Sequence, residues 1–212
     1  MPIQLPRVGR PLLLAGLLTS TAALASEVVL RDDFGNPASG WQVASPKDGG
    51  GTGLALYSDG EYQLSLLADA SMAFMPAPKQ AGGADVVVAA KTWMYAGVGG
   101  GGAGVACRAQ EGRFYAFMLT GNGGWAIAKA AGKQVKTLAT GELRTAPLIA
   151  GMPEALLEAT CAGDRLELRV DSELVGSVQD AEYTSGAVGL TLISQKAAGT
   201  NARFDDFELR TP

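Results

Sequence analysis

The chain has 212 residues, with 17 Lys and Arg against 21 Asp and Glu, and it contains no histidine. The absence of histidine excludes Ser-His-Asp and Cys-His nucleophilic catalysis, imidazole general bases, and most zinc and copper sites. A net charge of −4 repels phosphate backbones, so nucleic acid is not an expected partner.

Residues 1–25 read as a secretory signal. Arg7 and Arg10 precede an apolar run from Pro11 to Ala25, which closes on the small residues Ala23-Leu24-Ala25. A membrane anchor fits less well, because a span takes about 20 uninterrupted apolar residues and Thr19, Ser20 and Thr21 break this run. Cleavage after Ala25 removes two of the 17 cations and none of the 21 acids, moving the net charge from −4 to −6. The remainder, residues 26–212, has the size of a single domain and carries no linker, charge block or repeat. The expected location is secreted or periplasmic, with no membrane span once the signal is gone.

From Glu27 onward apolar and polar residues alternate with period two, and helical periodicity never holds for long. The expected strands run Glu27 to Phe34, Glu61 to Leu67, Asp85 to Met94, Gly104 to Ala109, Arg113 to Thr120 and Gly124 to Ala130. They continue with Gln134 to Thr140, Leu156 to Cys161, Arg165 to Asp171, Ala187 to Ser194 and Ala202 to Arg210. Arg165 to Asp171 is the cleanest: Leu166, Leu168 and Val170 share one face and charges share the other. Ser58-Asp59-Gly60, Gly121-Asn122-Gly123, Ala131-Gly132-Lys133 and Ala162-Gly163-Asp164 supply turns that accept positive φ. Gly97 to Gly104, reading GVGGGGAG, is expected to be a slack loop between two strands, with a mobile lip over a groove as the alternative. So many short strands in one domain imply two packed antiparallel sheets.

The two cysteines, Cys107 and Cys161, lie in a chain headed for an oxidising compartment, where an even count points to a bridge. A Cys107–Cys161 disulfide is therefore expected, contributing about 4 kcal/mol on the chain-entropy account.

A family resemblance rests on motifs that occur in order. They are Asp32-Asp33-Phe34, Ser39-Gly40-Trp41, Asp59-Gly60-Glu61-Tyr62, Gly104-Val105-Ala106-Cys107-Arg108, Phe114-Tyr115, Cys161-Ala162-Gly163-Asp164-Arg165-Leu166 and Phe204-Asp205-Asp206-Phe207. Together they resemble the LamG-like, concanavalin A-like jelly rolls, including the 3-keto-disaccharide hydrolase-like domains of bacteria. The resemblance implies an all-β, two-sheet antiparallel jelly-roll sandwich whose first and last strands lie side by side. It also implies a lectin-like, carbohydrate-binding domain of the cell envelope or exterior. The alternatives are a glycoside-modifying hydrolase of the 3-keto-disaccharide type and a non-catalytic adhesive module with a protein partner.

Sugar binding on such a sandwich takes flat rings and a few fixed donors and acceptors. The rings are Trp93, Tyr95, Tyr115 and Trp125; the charged donors are Arg108 and Lys129. Arg108, Tyr115, Trp125, Lys129 and Trp93 are thus the candidate ligand residues; the alternative for the rings is a place in the core, favoured for Tyr115 with Phe117, and for Arg108 a structural ion pair or a surface charge. Trp125, Ile127 and Lys129 share one side of their strand, and Ala126, Ala128 and Ala130 share the other, small side, which leaves room for a second sheet or for a groove. If Cys107 faces the core, Arg108 next to it points away, to solvent or into a binding face.

Catalysis finds little support. The Glu-x-Asp-x-x-Glu strand of the laminarinases is absent. Tyr115-Ala116-Phe117-Met118 stands where keto-glycoside hydrolases carry Tyr-Glu-x-Gln. Acids would have to come from Glu111, Glu142, Glu154, Glu158 or Asp180, which form no recognisable constellation. No cofactor is expected. A structural calcium on Asp32, Asp33, Asp205 and Asp206 is the one ion left open, against a role in capping turns.

Overall fold

The computed structural model describes residues 26–48, 53–68, 70–96, 101–143, 155–195 and 199–212. The expected signal segment, Glu154 and the first half of the glycine run lie outside these residues, as does the side chain of Tyr95. Fourteen strands are described: β1 Val28–Asp32, β2 Gly53–Ser58, β3 Glu61–Leu66, β4 Ser71–Pro76, β5 Val86–Ala96, β6 Gly101–Gln110 and β7 Arg113–Thr120. The second half runs β8 Gly124–Ala131, β9 Gln134–Glu142, β10 Ala155–Ala162, β11 Arg165–Val170, β12 Glu173–Gln179, β13 Ala187–Ser194 and β14 Thr200–Arg210. Among the described residues no helix is long and apolar enough to cross a membrane.

The strands form two sheets, all of whose pairings are antiparallel. One has eight strands in the order β12-β11-β10-β5-β14-β3-β2, with β1 added beside β14; the other has six, β4-β13-β6-β7-β8-β9. This is a jelly-roll sandwich. The first and last strands do meet, Asp32 opposite Phe207 and Arg31 opposite Glu208.

Period-two patterning sorts each strand between the layers. Leu166, Leu168 and Val170 of β11 turn inward, as do Leu157, Ala159 and Cys161 of β10 and Phe204, Phe207 and Leu209 of β14. The six-stranded sheet answers with Val105 and Cys107, Tyr115, Phe117 and Leu119, Trp125 and Ile127, and Leu190 and Leu192. The Cys107–Cys161 disulfide crosses this core from β6 to β10, with Cα atoms 6.8 Å apart. At the β1 end, Phe34, Trp41, Tyr57, Tyr62 and Phe207 make a ring cluster, with centroids of contacting pairs 4.9–6.3 Å apart.

The expected loop at Gly97 to Gly104 is corrected in its second half. Gly101 to Gly104 open β6 and pair with both β13 and β7. Glycine is needed there because the strands crowd: a Cβ at Gly104 would stand 2.1 Å from the Phe117 carbonyl oxygen. Three strands were not expected. β2 (GLALYS) emerges from a glycine-rich stretch, β4 (SMAFMP) has no β-branched residue and ends in proline, and β12 (ELVGSVQ) is broken by Gly176.

Candidate functional site

The two sheets present very different outer faces. That of the eight-stranded sheet is paved with ion pairs: Arg210–Glu158 at 2.8 Å, Arg31–Glu208 at 2.7 Å, Arg203–Glu61 at 2.9 Å and Lys91–Asp206 at 2.8 Å. Such a surface is adapted to water and each exposed pair contributes little on its own.

The outer face of the six-stranded sheet is built from the opposite alternation. Because Tyr115, Phe117 and Leu119 point inward, Phe114, Ala116 and Met118 point outward; because Trp125 and Ile127 point inward, Ala126, Ala128 and Ala130 point outward as well. The register sets them in rows: Gly104, Met118, Ala126 and Thr140 across β6 to β9, and Ala106, Ala116, Ala128 and Thr137 beside them. These residues form a second apolar cluster, with Ile193, Met72, Phe74 and Val135 packed against it and Phe74 stacked on Phe114 at 5.4 Å. Its buried members are themselves only 0–7% exposed, and among the described residues no third sheet lies over them.

A groove of about 350 Å³ runs along this face. Its floor is Gly101, Gly102, Met118, Ala126, Ala128 and Ile193; its rim carries Thr120, Asn122, Thr137, Thr140 and Gln195. Among the described residues none of the lining side chains is charged. Thr120 and Asn122 hydrogen-bond each other at 2.6 Å, and the Thr140 hydroxyl donates to the Trp125 carbonyl at 2.8 Å. Sequence reasoning missed these rim residues. The signal for them was the small side of β8, recognised as room for a layer or a groove, which proves to be the groove.

Most of the residues expected to touch a ligand point into the protein. Tyr115 is closed to solvent; its hydroxyl donates to Asp180 and accepts the Tyr183 backbone N–H at 2.9 Å. Lys129 is held by Asp180 at 2.8 Å and by Glu182. Trp93 belongs to β5 of the other sheet and is 8% exposed. Trp125, also 8% exposed, packs its indole over Gly141 and Gly176, where a Cβ would come within 2.8 Å and 2.4 Å of the ring. One edge of that ring reaches a separate hollow of about 460 Å³ at the end of the sandwich, with Glu142, Asp171, Glu173 and Leu174.

Arg108 corrects an expectation of alternation. It follows the inward Cys107, yet its side chain does not leave the interior: it is 2% exposed. A bulge between Cys107 and Gln110, with Arg108 at φ 54°, turns the chain back. The guanidinium donates to the Tyr183 carbonyl at 3.1 Å and meets Asp85 at 3.4 Å.

The network around Tyr115 shifts its own titrations. Burial, reinforced by the hydrogen bond with Asp180, pushes the Tyr115 hydroxyl up to about 12. Burial opposes ionisation of Asp180, but hydrogen bonds from Lys129, Tyr115 and the Glu182 N–H outweigh it and hold the carboxyl at about 2. The same bonds, to Asp180 and Glu182, raise Lys129.

The four terminal aspartates are engaged within the protein. Asp32 accepts the Phe34 N–H and the Trp41 indole N–H, each at 2.9 Å; Asp33 accepts the Gly35 N–H at 3.1 Å; Asp205 accepts the Asp206 N–H at 2.7 Å. Asp206 pairs with Lys91. Among the described residues no three Asp, Glu, His or Cys side chains gather as a metal site would require. Of the candidate acids, Glu158 is paired with Arg210 and Asp180 with Lys129, and neither lies in the groove.

No protein-family model matches the chain, and no curated protein matches it in sequence. Solved structures do match in fold. The carbohydrate-binding module CBM66 from Bacillus subtilis superposes with a TM-score of 0.63 at 17% identity, over 82% of this chain and 96% of that one. A galectin-like protein of unknown function from Bacillus subtilis gives 0.63 at 11% identity, over 87% and 96%. The Bacillus licheniformis β-glucanase gives 0.61 at 12% identity, over 87% and 98%. The fold is that of the concanavalin A-like lectins and glucanases.

Proposed function

We propose that the protein is a secreted or periplasmic carbohydrate-binding domain that holds a neutral glycan in the groove on the outer side of its six-stranded sheet. The observation that carries this reading is the chemistry of the groove, an apolar floor of alanine, glycine, methionine and isoleucine bordered by threonine, asparagine and glutamine with no charged lining residue among those described. A pyranose has apolar C–H faces and neutral hydroxyls, and such a surface offers contact for the first and hydrogen-bond partners for the second. The likeness in fold to a carbohydrate-binding module and a glucanase is consistent with it. Arg108, Tyr115, Lys129 and Trp93 then support the fold from within; Trp125 keeps one edge available in the end hollow. Export is supported by the signal-like residues 1–25 and by the disulfide.

A hydrolase reading is less well supported. Ala116 and Met118 sit on the groove side of β7, and two-carboxylate hydrolysis would need acids that the described lining does not offer. The apolar half of the same face, Phe74 stacked on Phe114 beside Met72, favours adhesion to a protein as the second reading.

A glycan array followed by calorimetry tests the proposal. Thr137→Ala and Gln195→Ala are each expected to weaken a neutral oligosaccharide about fivefold, corresponding to the loss of one hydrogen bond of about 1 kcal/mol. Ala128→Trp should abolish binding by filling the groove. Binding that survives all three but is lost in Trp125→Ala would move the ligand to the end hollow and overturn the proposal. Release of sugar products would establish the hydrolase reading instead.

A further inference from the structure

We propose that the small cavity beside Arg108 is a binding site for a small oxyanion of carboxylate size, separate from the groove. The cavity, about 70 Å³, is lined by Arg108, Gln110, Arg113, Glu182, Tyr183, Thr184 and Ser185. A guanidinium stays charged at every accessible pH and carries five donors, so burying one calls for several acceptors. Arg108 has two: the Tyr183 carbonyl and one oxygen of Asp85, at a long 3.4 Å. That oxygen also accepts the Gly163 N–H at 2.9 Å, and the Asp85 side chain is 52% exposed, which screens its charge.

Arg108 Nε is enclosed and has no acceptor; among the described residues it is the only enclosed side-chain nitrogen or oxygen in that state. The backbone is held at φ 54° to put the group there, a conformation non-glycine residues reach at a cost. Nε itself is closed to a ligand in the cavity, but a buried cation with a weak counter-charge is short of negative charge, and the adjoining wall supplies donors: the Arg113 guanidinium, which also meets Glu111 at 3.7 Å, the Gln110 amide and the Thr184 and Ser185 hydroxyls. The wall's one carboxylate, Glu182, is held by Lys129. The overall negative charge of the chain disfavours polyanions, which restricts the site to a single small anion, whether free or carried on a larger molecule.

The test uses the full mature chain and the side-chain Nε–H resonances of its arginines, titrated at constant ionic strength with acetate, galacturonate and inorganic phosphate. The Arg108 resonance is expected to move saturably with acetate while that of the exposed Arg165 stays fixed. Saturation by galacturonate as well would identify a sugar acid as an admissible carrier; preference for phosphate over both carboxylates would contradict the carboxylate size assigned to the site. Arg113→Gln and Ser185→Ala, both on the exposed wall, should weaken acetate at least threefold without loss of fold, and Arg108→Lys should abolish it. An Arg108 resonance that stays unmoved at saturating anion would show that the cavity holds water only and would overturn the inference. Neutral-glycan binding in the groove is expected to be unchanged in Arg113→Gln, so the two proposals fail independently.

Discussion

Arg108, Tyr115, Lys129 and Asp180 are chemically the most conspicuous side chains in the sequence, and their polar ends are spent on one another and on the segment that joins β12 to β13. Asp180 takes hydrogen bonds from Tyr115 and Lys129, the Tyr183 N–H donates to Tyr115 and its carbonyl accepts from Arg108, and the Tyr183 ring lies 5.8 Å from the Arg113 guanidinium and 6.0 Å from the Lys129 ammonium. These contacts pin residues 180–183 across the end of the six-stranded sheet. Because the folded Asp180 titrates near 2, below the usual aspartate value of 3.8, its contribution is present above the unfolded value and is lost as pH falls through the folded one. Tyr115 and Lys129 are raised, so theirs hold until the pH climbs past the unfolded values near 10. Asp180→Asn is therefore expected to cost about 2 kcal/mol at neutral pH and to flatten the acid limb of stability between about pH 4 and pH 2. Denaturant melts of wild type and variant across that range check this; an unchanged acid limb would remove Asp180 from the account.

At the level of strands, the disulfide cross-links the two layers, joining β6 to β10 across 54 residues of chain. Closing a loop of that length constrains the unfolded chain by about 4 kcal/mol, so Cys107→Ala/Cys161→Ala should lower stability by about that amount while keeping the β-sheet circular dichroism. A double variant as stable as wild type would mean that the packed faces of β6 and β10 hold the sandwich alone. Strands of this kind were legible where alternation was strong, as in β10 and β11, or where marked turns bounded an apolar run, as in β7 and β8. Legibility failed at β2, β4 and β12, where glycine, proline or a lack of β-branched residues weakens the local preference and only tertiary pairing completes the strand. The site was harder to read for a different reason. Both sides of β8 are apolar, so periodicity separates Trp125 and Ile127 from Ala126 and Ala128 without saying which pair faces the second sheet. That choice depends on Gly141 and Gly176, which are distant in sequence and leave space for the indole. The bulge at Arg108 likewise inverts a side-chain direction that simple alternation assigns outward.

The whole molecule is a sandwich with one face for water and one held in reserve. Ion pairs cover the eight-stranded sheet, and an uncharged, small-residue surface with a groove covers the six-stranded one. The apolar residues of that face are 0–7% exposed, so what it offers a ligand is the groove and its polar rim rather than a broad apolar patch. Methyl-resolved NMR of the protein, titrated with the neutral oligosaccharide bound most strongly on an array, tests that assignment most directly. The account predicts saturable shifts in Ala116, Ala126, Ala128, Met118 and Ile193, with Leu156 and Ala162 on the opposite sheet unmoved. Shifts confined to the eight-stranded sheet, or none with any neutral glycan, would contradict it.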